Sequence, residues 1–259
     1  VKCLSVNEKS ADMSRKLIII LGPTAVGKTD YSIELALKYG SPVISCDSRQ
    51  IYREMTIGTA VPSAEQLAAV QHYFIHSHTV EQLYTAGKYE LEALELINRL
   101  FDEGHETLVM AGGSGFYVDA LVNGLDDFPA ADLQLRAELT ARLQEEGVES
   151  LRLELQKLDP ESYAVIDIAN GQRVVRALEV CLMTGRPFSS FKTETRKNRD
   201  FEIEKIGLTR PREVLYDRCN RRVIQMIDDG LVEEVRSLTK YRDLAALQTV
   251  GYKEIFDWF

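Results

Sequence analysis

The sequence predicts an α/β fold, a parallel sheet with helices on both faces, interrupted by an all-helical insertion. Three observations carry this reading. An apolar run at 17–21 passes straight into Gly22-Pro23-Thr24-Ala25-Val26-Gly27-Lys28-Thr29 and then into an amphipathic stretch over 30–39 that stops at Gly40. Strand and helix patterns go on alternating as far as residue 125. From 126 to 199 no strand pattern is convincing, and helical stretches follow one another.

Taken in order, the first strand ends in G-x-x-x-x-G-K-[ST], the phosphate loop of a P-loop NTPase-like core. Gly22 and Gly27 permit backbone angles closed to other residues, so that successive N–H groups can point into one concavity around an anionic oxygen. Lys28 adds a cation, Thr29 a hydroxyl suited to a phosphate or Mg²⁺, and the helix that starts there the positive end of its dipole. A diphosphate or triphosphate is the expected occupant. Residues 42–46 read as a short buried strand ending in Asp47-Ser48-Arg49-Gln50, and Asp47 is expected to face the phosphate loop, because α/β sheets place ligands at the carboxyl ends of their strands. Residues 90–103 have a helical period in Leu91, Leu94, Ile97 and Leu100. Residues 107–110 form the next strand, opening into Ala111-Gly112-Gly113-Ser114-Gly115.

Leu133–Glu146, Val148–Leu158 and 172–183 read as the helices of the insertion, separated by Gly147, Asp159-Pro160 and Asn170-Gly171. Residues 201–208 alternate as a strand, and 212–238 supply two helical stretches broken near Gly230. The expected organisation is a flexible leader over 1–15, a core over 16–125, the insertion over 126–199, and the core resumed over 200–259.

A chain of 259 residues with 45% hydrophobic content can bury a full core. No apolar run reaches membrane-spanning length, and the N-terminal residues lack the apolar centre of a signal peptide, so a cytoplasmic location is expected. Cys3, Cys46, Cys181 and Cys219 form no C-x-x-C pair and read as reduced thiols. The net charge of −9 counts against a nucleic-acid partner without excluding one, since local patches matter more than the total.

Asp47 has two readings: a cap on the following turn, or a general base that orients a nucleophile opposite the phosphate site. The third strand ends in glycines and a serine instead of the acid that organises Mg²⁺ and water in phosphate-loop nucleotidases. Arg173 and Arg176 share a helix face, with Val174, Leu178 and Cys181 on another. A basic stretch follows, with Arg186, Lys192, Arg196, Lys197 and Arg199, and Arg218, Arg221 and Arg222 cluster later. These read as solvated faces or as places for a polyphosphate chain. The spacing of His72, His76 and His78 argues against a closed metal-ligand set.

GPTAVGKT at 22–29, DSRQIYREMTIGTA at 47–60, GGSGFY at 112–117, QRVVRALEV at 172–180, Gly230-Leu231 and Gly251-Tyr252-Lys253-Glu254 together resemble the tRNA dimethylallyltransferases, in order from about residue 16 to the end. The resemblance implies transfer of a dimethylallyl group from dimethylallyl diphosphate to N6 of the adenosine just 3′ of a tRNA anticodon, with Mg²⁺ as helper. It makes Asp47 the acceptor of the N6 hydrogen. It assigns Thr24, Lys28 and Arg222 to stabilising the leaving diphosphate, which lies in the loop from Gly22 through Pro23, Thr24, Ala25, Val26, Gly27 and Lys28 to Thr29, with Thr29 reaching Mg²⁺ through the phosphate. Asp47, Ser48, Arg49, Gln50, Ser114, Arg136, Gln172, Arg173, Val174, Val175 and Arg176 match positions that touch tRNA, and the insertion matches the module that grips the anticodon stem-loop.

There are departures. Val61 stands where the family usually has Lys, Ser114 replaces a common Thr, and 71–76 lacks the usual His pair and Asp. The chain stops at Trp258-Phe259, short of the family's basic C-terminal helical segment, and a longer natural chain is expected. A monomer is expected. The alternatives are a phosphate-loop kinase that uses ATP with Asp47 as base, which would not need RNA, and a nucleotide-gated binding module, which would not need Asp47.

Overall fold

The computed structural model describes residues 2–8, 15–193 and 196–259, with side chains from residue 15 onward. The chain forms two compact units, 1–124 with 197–259, and 125–196.

The first unit is built on a six-stranded sheet. In chain order its strands are β1 (Lys2–Glu8), β2 (Lys16–Leu21), β3 (Val43–Ser45), β4 (His72–Tyr73), β5 (Thr107–Ala111) and β6 (Glu202–Thr209), and their spatial order is β1-β6-β2-β5-β3-β4. All neighbours are parallel except β1, which runs antiparallel to β6. The unbroken Leu17-Ile18-Ile19-Ile20 run suits β2 to a central position, where strands are covered on both faces, and these four residues are at most 3% exposed. The helices of this unit are α1 (Lys28–Tyr39), α2 (Ala64–Ala69), α3 (Ala86–Asp102) and α4 (Gly115–Asn123). The second unit contributes α5 (Leu133–Glu146), α6 (Val148–Leu158), α7 (Pro160–Val165) and α8 (Gly171–Thr184). The chain then returns through β6 to α9 (Arg212–Asp228), α10 (Leu231–Ser237) and α11 (Tyr252–Trp258) of the first unit. Among the described residues no helix is long and apolar enough to cross a membrane.

Three expectations change. Part of the leader is a strand: Lys2–Glu8 pairs along β6 from Lys2 opposite Thr209 to Glu8 opposite Ile203, because an edge strand needs only the free ladder of its neighbour. Residues 1 and 9–14 of that leader lie outside the described residues. Helix α3 starts earlier than its period predicts, capped by the Thr85 hydroxyl on Lys88 N, and it buries Tyr89, Ala93, Leu96, Ile97 and Leu100 while Leu91 is exposed. Arg199, placed in the insertion by sequence, belongs to the first unit. Its Nη2 donates to the buried Glu90 (2.9 Å) and its Nε to the Leu121 carbonyl (2.6 Å) at the end of α4. Lys197 N donates to Asn123 O beside it (2.8 Å).

The second unit has its own core, in which Leu139, Leu151, Leu155, Val174, Val175 and Leu178 are at most 1% exposed. Asp159 helps to close it by capping α7 on Ser162 N and accepting from the backbone and hydroxyl of Ser189.

Removing Arg199 takes its close guanidinium (2.9 Å) from the buried Glu90 and leaves the Lys197 ammonium farther off, at 3.8 Å. Arg199→Ala is therefore expected to destabilise the first unit by about 3 kcal/mol or more, read as a lowered urea midpoint, with Arg199→Lys recovering part of the loss.

Candidate active site

The site is assembled where the carboxyl ends of β2, β3, β5 and β6 meet. Gly22 leaves β2 at φ +150°, and a Cβ there would lie 2.7 Å from the Leu208 carbonyl of β6, so the loop can pass only as glycine. Ala25 (φ +63°) and Gly27 (φ +107°) are also left-handed, which curls the loop over the start of α1. Two arginines from beyond β6 fix this curl from outside: Arg210 Nε donates to Val26 O (2.7 Å) and Arg218 Nε to Ala25 O (2.6 Å). Inside, the Lys28 ammonium donates to Gly22 O (2.8 Å) and Pro23 O (3.0 Å). Burial pushes its pKa below the usual 10.5, opposed by the nearby Asp47 and Cys46 and assisted by the Arg222 charge. Bound anionic oxygens would reverse that shift.

The loop forms one wall of a cavity of about 930 Å³. Asp47 lines it from the end of β3, where the capping reading holds. Its Oδ1 caps the following turn, accepting from Arg49 N (2.9 Å) and Gln50 N (3.3 Å), while Oδ2 has no hydrogen-bond partner among the described residues. The glycines after β5 make room for this arrangement. A Cβ on Gly112 would fall 2.4 Å from the Cys46 backbone, and one on Gly113 would lie 3.2 Å from Asp47 Oδ2. Ser114 joins the two strand ends, with its Oγ accepting from Ser48 N and donating to Ser48 Oγ, each at 2.8 Å. Cys46, directly before the acid, is fully buried, and desolvation followed by Asp47 pushes its thiol up to about 12, so it is inert.

Arg218, Arg221 and Arg222 of α9 also line the cavity. Arg221 is paired with Asp217 (2.5 Å), whereas Arg222 has no hydrogen bond or ion pair among the described residues. Thr29 lines the same space, and its hydroxyl likewise has no partner among them.

Other expected residues are engaged elsewhere. Arg49 Nη1 donates to Ala245 O and Ala246 O (3.0 and 2.9 Å), and Gln50 Nε2 to Thr59 O and Ala60 O (3.1 and 2.9 Å). In the second unit Gln172 and Arg173 are exposed, but the expected RNA contacts of Val174 and Val175 are corrected: both side chains are core, on the face of α8 that packs against α5 and α6. Arg136 and Arg176 converge on Glu179, which is 0% exposed, at 2.6 and 3.1 Å. The histidines diverge, His72 bonding Val70 O, His76 the Thr56 hydroxyl and His78 the Ser77 hydroxyl. Among the described residues no group of three or more His, Cys, Asp or Glu is placed to hold a metal.

Sequence reasoning missed Glu234. Its carboxylate accepts from Thr56 N (3.1 Å), Ile57 N (2.8 Å), Gly58 N (3.1 Å) and the buried Tyr252 hydroxyl (2.5 Å), so it holds one cavity wall. Gly58 lies on the Tyr252 ring, where a Cβ would approach to 2.5 Å. Gly251-Tyr252 was visible as a motif, but nothing local signals its partner.

The fold and this loop define a phosphate-loop protein that lacks an acid at the end of β5 and sets an aspartate at the end of β3. The IPP transferase family model matches residues 50–259, and the chain belongs to that family. It is 49% identical over 242 residues to tRNA dimethylallyltransferase 1 of Bacteroides thetaiotaomicron, covering 93% of this chain and 78% of the relative. It is 47% identical over 247 residues to tRNA dimethylallyltransferase of Christiangramia forsetii, covering 95% and 82%. Among solved structures it is similar to the tRNA isopentenylpyrophosphate transferase of Bacillus halodurans, with 37% identity, a TM-score of 0.62 and coverage of 95% of this chain and 77% of the other. A eukaryotic dimethylallyltransferase acting on tRNA matches at 26% identity and a TM-score of 0.77, with 94% and 63% covered.

The lowered Lys28 pKa gives ligand binding a pH dependence. Because a bound diphosphate raises that pKa, its affinity is expected to be flat at pH values below the pKa of the free protein. Affinity then falls as pH rises to the pKa of the complex, since binding there requires proton uptake. Calorimetry with inorganic diphosphate over the alkaline range tests this, and Lys28→Arg, charged throughout, should flatten the curve.

Proposed function

We propose that this protein transfers a dimethylallyl group from dimethylallyl diphosphate to N6 of the adenosine adjacent, on the 3′ side, to the anticodon of tRNA. The observation that carries this reading is the pairing of a phosphate loop with Asp47, which lines the cavity and whose Oδ2 has no hydrogen-bond partner among the described residues, while no acid ends β5. Membership of the IPP transferase family and the names of its relatives support it. They also displace the kinase and binding-module alternatives.

In this reading the diphosphate lies in the loop from Gly22 to Thr29. Lys28 exchanges its bonds to Gly22 O and Pro23 O for phosphate oxygens. Arg222 and Arg218 face the same charge from α9, and Thr24 lines the cavity beside them. The adenine N6 lone pair attacks C1 of the allyl group as the C1–O bond to diphosphate breaks, and the N6 proton passes to Asp47 Oδ2. Donors already fixed in place stabilise the charge that grows on the leaving group, as preorganised sites do. The Asp47 Oδ1 cap keeps its carboxylate aimed, which suits a general base.

The residues present fit Mg²⁺: the Thr29 hydroxyl, at the end of the phosphate loop, is a hard oxygen donor with no partner among the described residues. When bound, the ion would neutralise diphosphate charge. The acceptor adenosine must leave the anticodon-loop stack to reach Asp47, and recognition of loop shape and unstacked bases is expected. Exposed Gln172 and Arg173 on α8 are the available insertion contacts. We place the enzyme in the cytoplasm as a monomer.

The test incubates the protein with Mg²⁺, radiolabelled dimethylallyl diphosphate and an anticodon stem-loop carrying that adenosine. Label should enter RNA, and Asp47→Ala should reduce the rate by roughly 10²–10⁴-fold. ATP consumption with no label in RNA would instead establish a kinase.

A further inference from the structure

The cavity is chemically divided. Its lining includes the phosphate loop and the arginines of α9, and also Ile57, Val61 and Ile75, each half-buried and apolar. Ile75 is held there with unusual firmness. Both of its neighbours are non-glycine residues in the left-handed region, Phe74 at φ +61° and His76 at φ +50°. Such a conformation persists only where the surroundings over-determine it. Here they do. Phe74 sits edge-on to the buried Tyr89, with ring centroids 5.2 Å apart. His76 is fixed at three points: its N donates to Gln50 O (3.0 Å), its ring Nε2 meets the Thr56 hydroxyl (3.2 Å), and its carbonyl accepts from Arg53 Nε (3.0 Å). The backbone is bent twice, and what the bends deliver into the cavity is one branched aliphatic side chain. Ile57 is fixed independently, through its N–H on Glu234.

We propose that Ile75, with Ile57 and Val61, seats the hydrocarbon tail of the allylic donor and limits its length to five carbons. This rests on the prenyl-transfer reading above. With the diphosphate on the loop and C1 directed towards Asp47, the tail cannot lie against Arg218 or Arg222 without desolvating a guanidinium, so it takes the apolar wall. A methylene-sized misfit in such a pocket changes kcat/KM by about 10–200-fold, and a rigid Ile75 makes that misfit hard to relieve.

The experiment compares kcat/KM for dimethylallyl and geranyl diphosphate with the same stem-loop, for wild type, Ile75→Ala, Ile75→Val and Val61→Ala, with products identified by mass spectrometry. Wild type should prefer the five-carbon donor by about 10²-fold or more. Ile75→Ala should lower that preference at least tenfold by admitting the geranyl group, with KM for the stem-loop unchanged. Ile75→Val and Val61→Ala, milder truncations that keep the fold if Ile75→Ala loses it, should shift the preference in the same direction. Wild-type transfer of dimethylallyl with an unaltered preference in all folded variants would overturn the inference while leaving the function intact. No transfer by wild type from either donor would overturn both.

Discussion

Two backbone crossings too tight for any side chain hold the site together: Gly22 against the Leu208 carbonyl, and Gly112 against Cys46. Both follow from parallel register, since β6, β2, β5 and β3 end at one level and the loops leaving them must pass within van der Waals contact. The chemistry inherits that closeness. Lys28 and Asp47 come from different strand ends, yet the Asp47 charge acts on the Lys28 ammonium, whose burial pushes its pKa down. The glycines after β5 matter for what they leave out, because Asp47 Oδ2 has a free face only while Gly113 carries no side chain.

The arginines resolve the tension between an acidic total and an anionic ligand. They fall into those whose guanidinium is held by the fold, through a carboxylate or through Nε on a carbonyl, and those left available. Arg136 and Arg176 meet the buried Glu179, Arg199 meets Glu90, and Arg210 and Arg218 are bound through Nε to carbonyls of the phosphate loop. Arg222, with no partner among the described residues, faces the cavity. A charge of −9 averaged over the chain therefore describes a surface, while the potential that matters is set by a few cations close to Lys28.

What the sequence made legible is what local physics encodes. The phosphate loop, the strand ending in Asp47, the glycines after β5 and the helical run of α8 each announce themselves within about a dozen residues, and the comparisons place the chain in the resembled family. Long-range pairings were invisible. Nothing near Glu234 says that it caps Thr56, Ile57 and Gly58, and nothing near Arg49 says that its guanidinium will meet Ala245 and Ala246. Motif position also failed to distinguish lining from core: Val174 and Val175 lie within a matching segment, but the helical period turns them inward. The edge strand β1 was missed because its sequence carries no clear alternation and its ladder partner lies two hundred residues away.

The Glu234–Tyr252 clamp also imposes an order in time. The phosphate loop, at 22–29, is made about two hundred residues before Glu234 and Tyr252, which hold a wall of the cavity. At synthesis rates of roughly 5–20 residues per second, about ten seconds or more separate them. During that interval a nascent chain carries a phosphate loop without a formed cavity wall. Binding competence thus waits for the segment that carries Glu234 and Tyr252, and a chain interrupted before Tyr252 would keep its most recognisable motif while lacking the wall that confines the ligand.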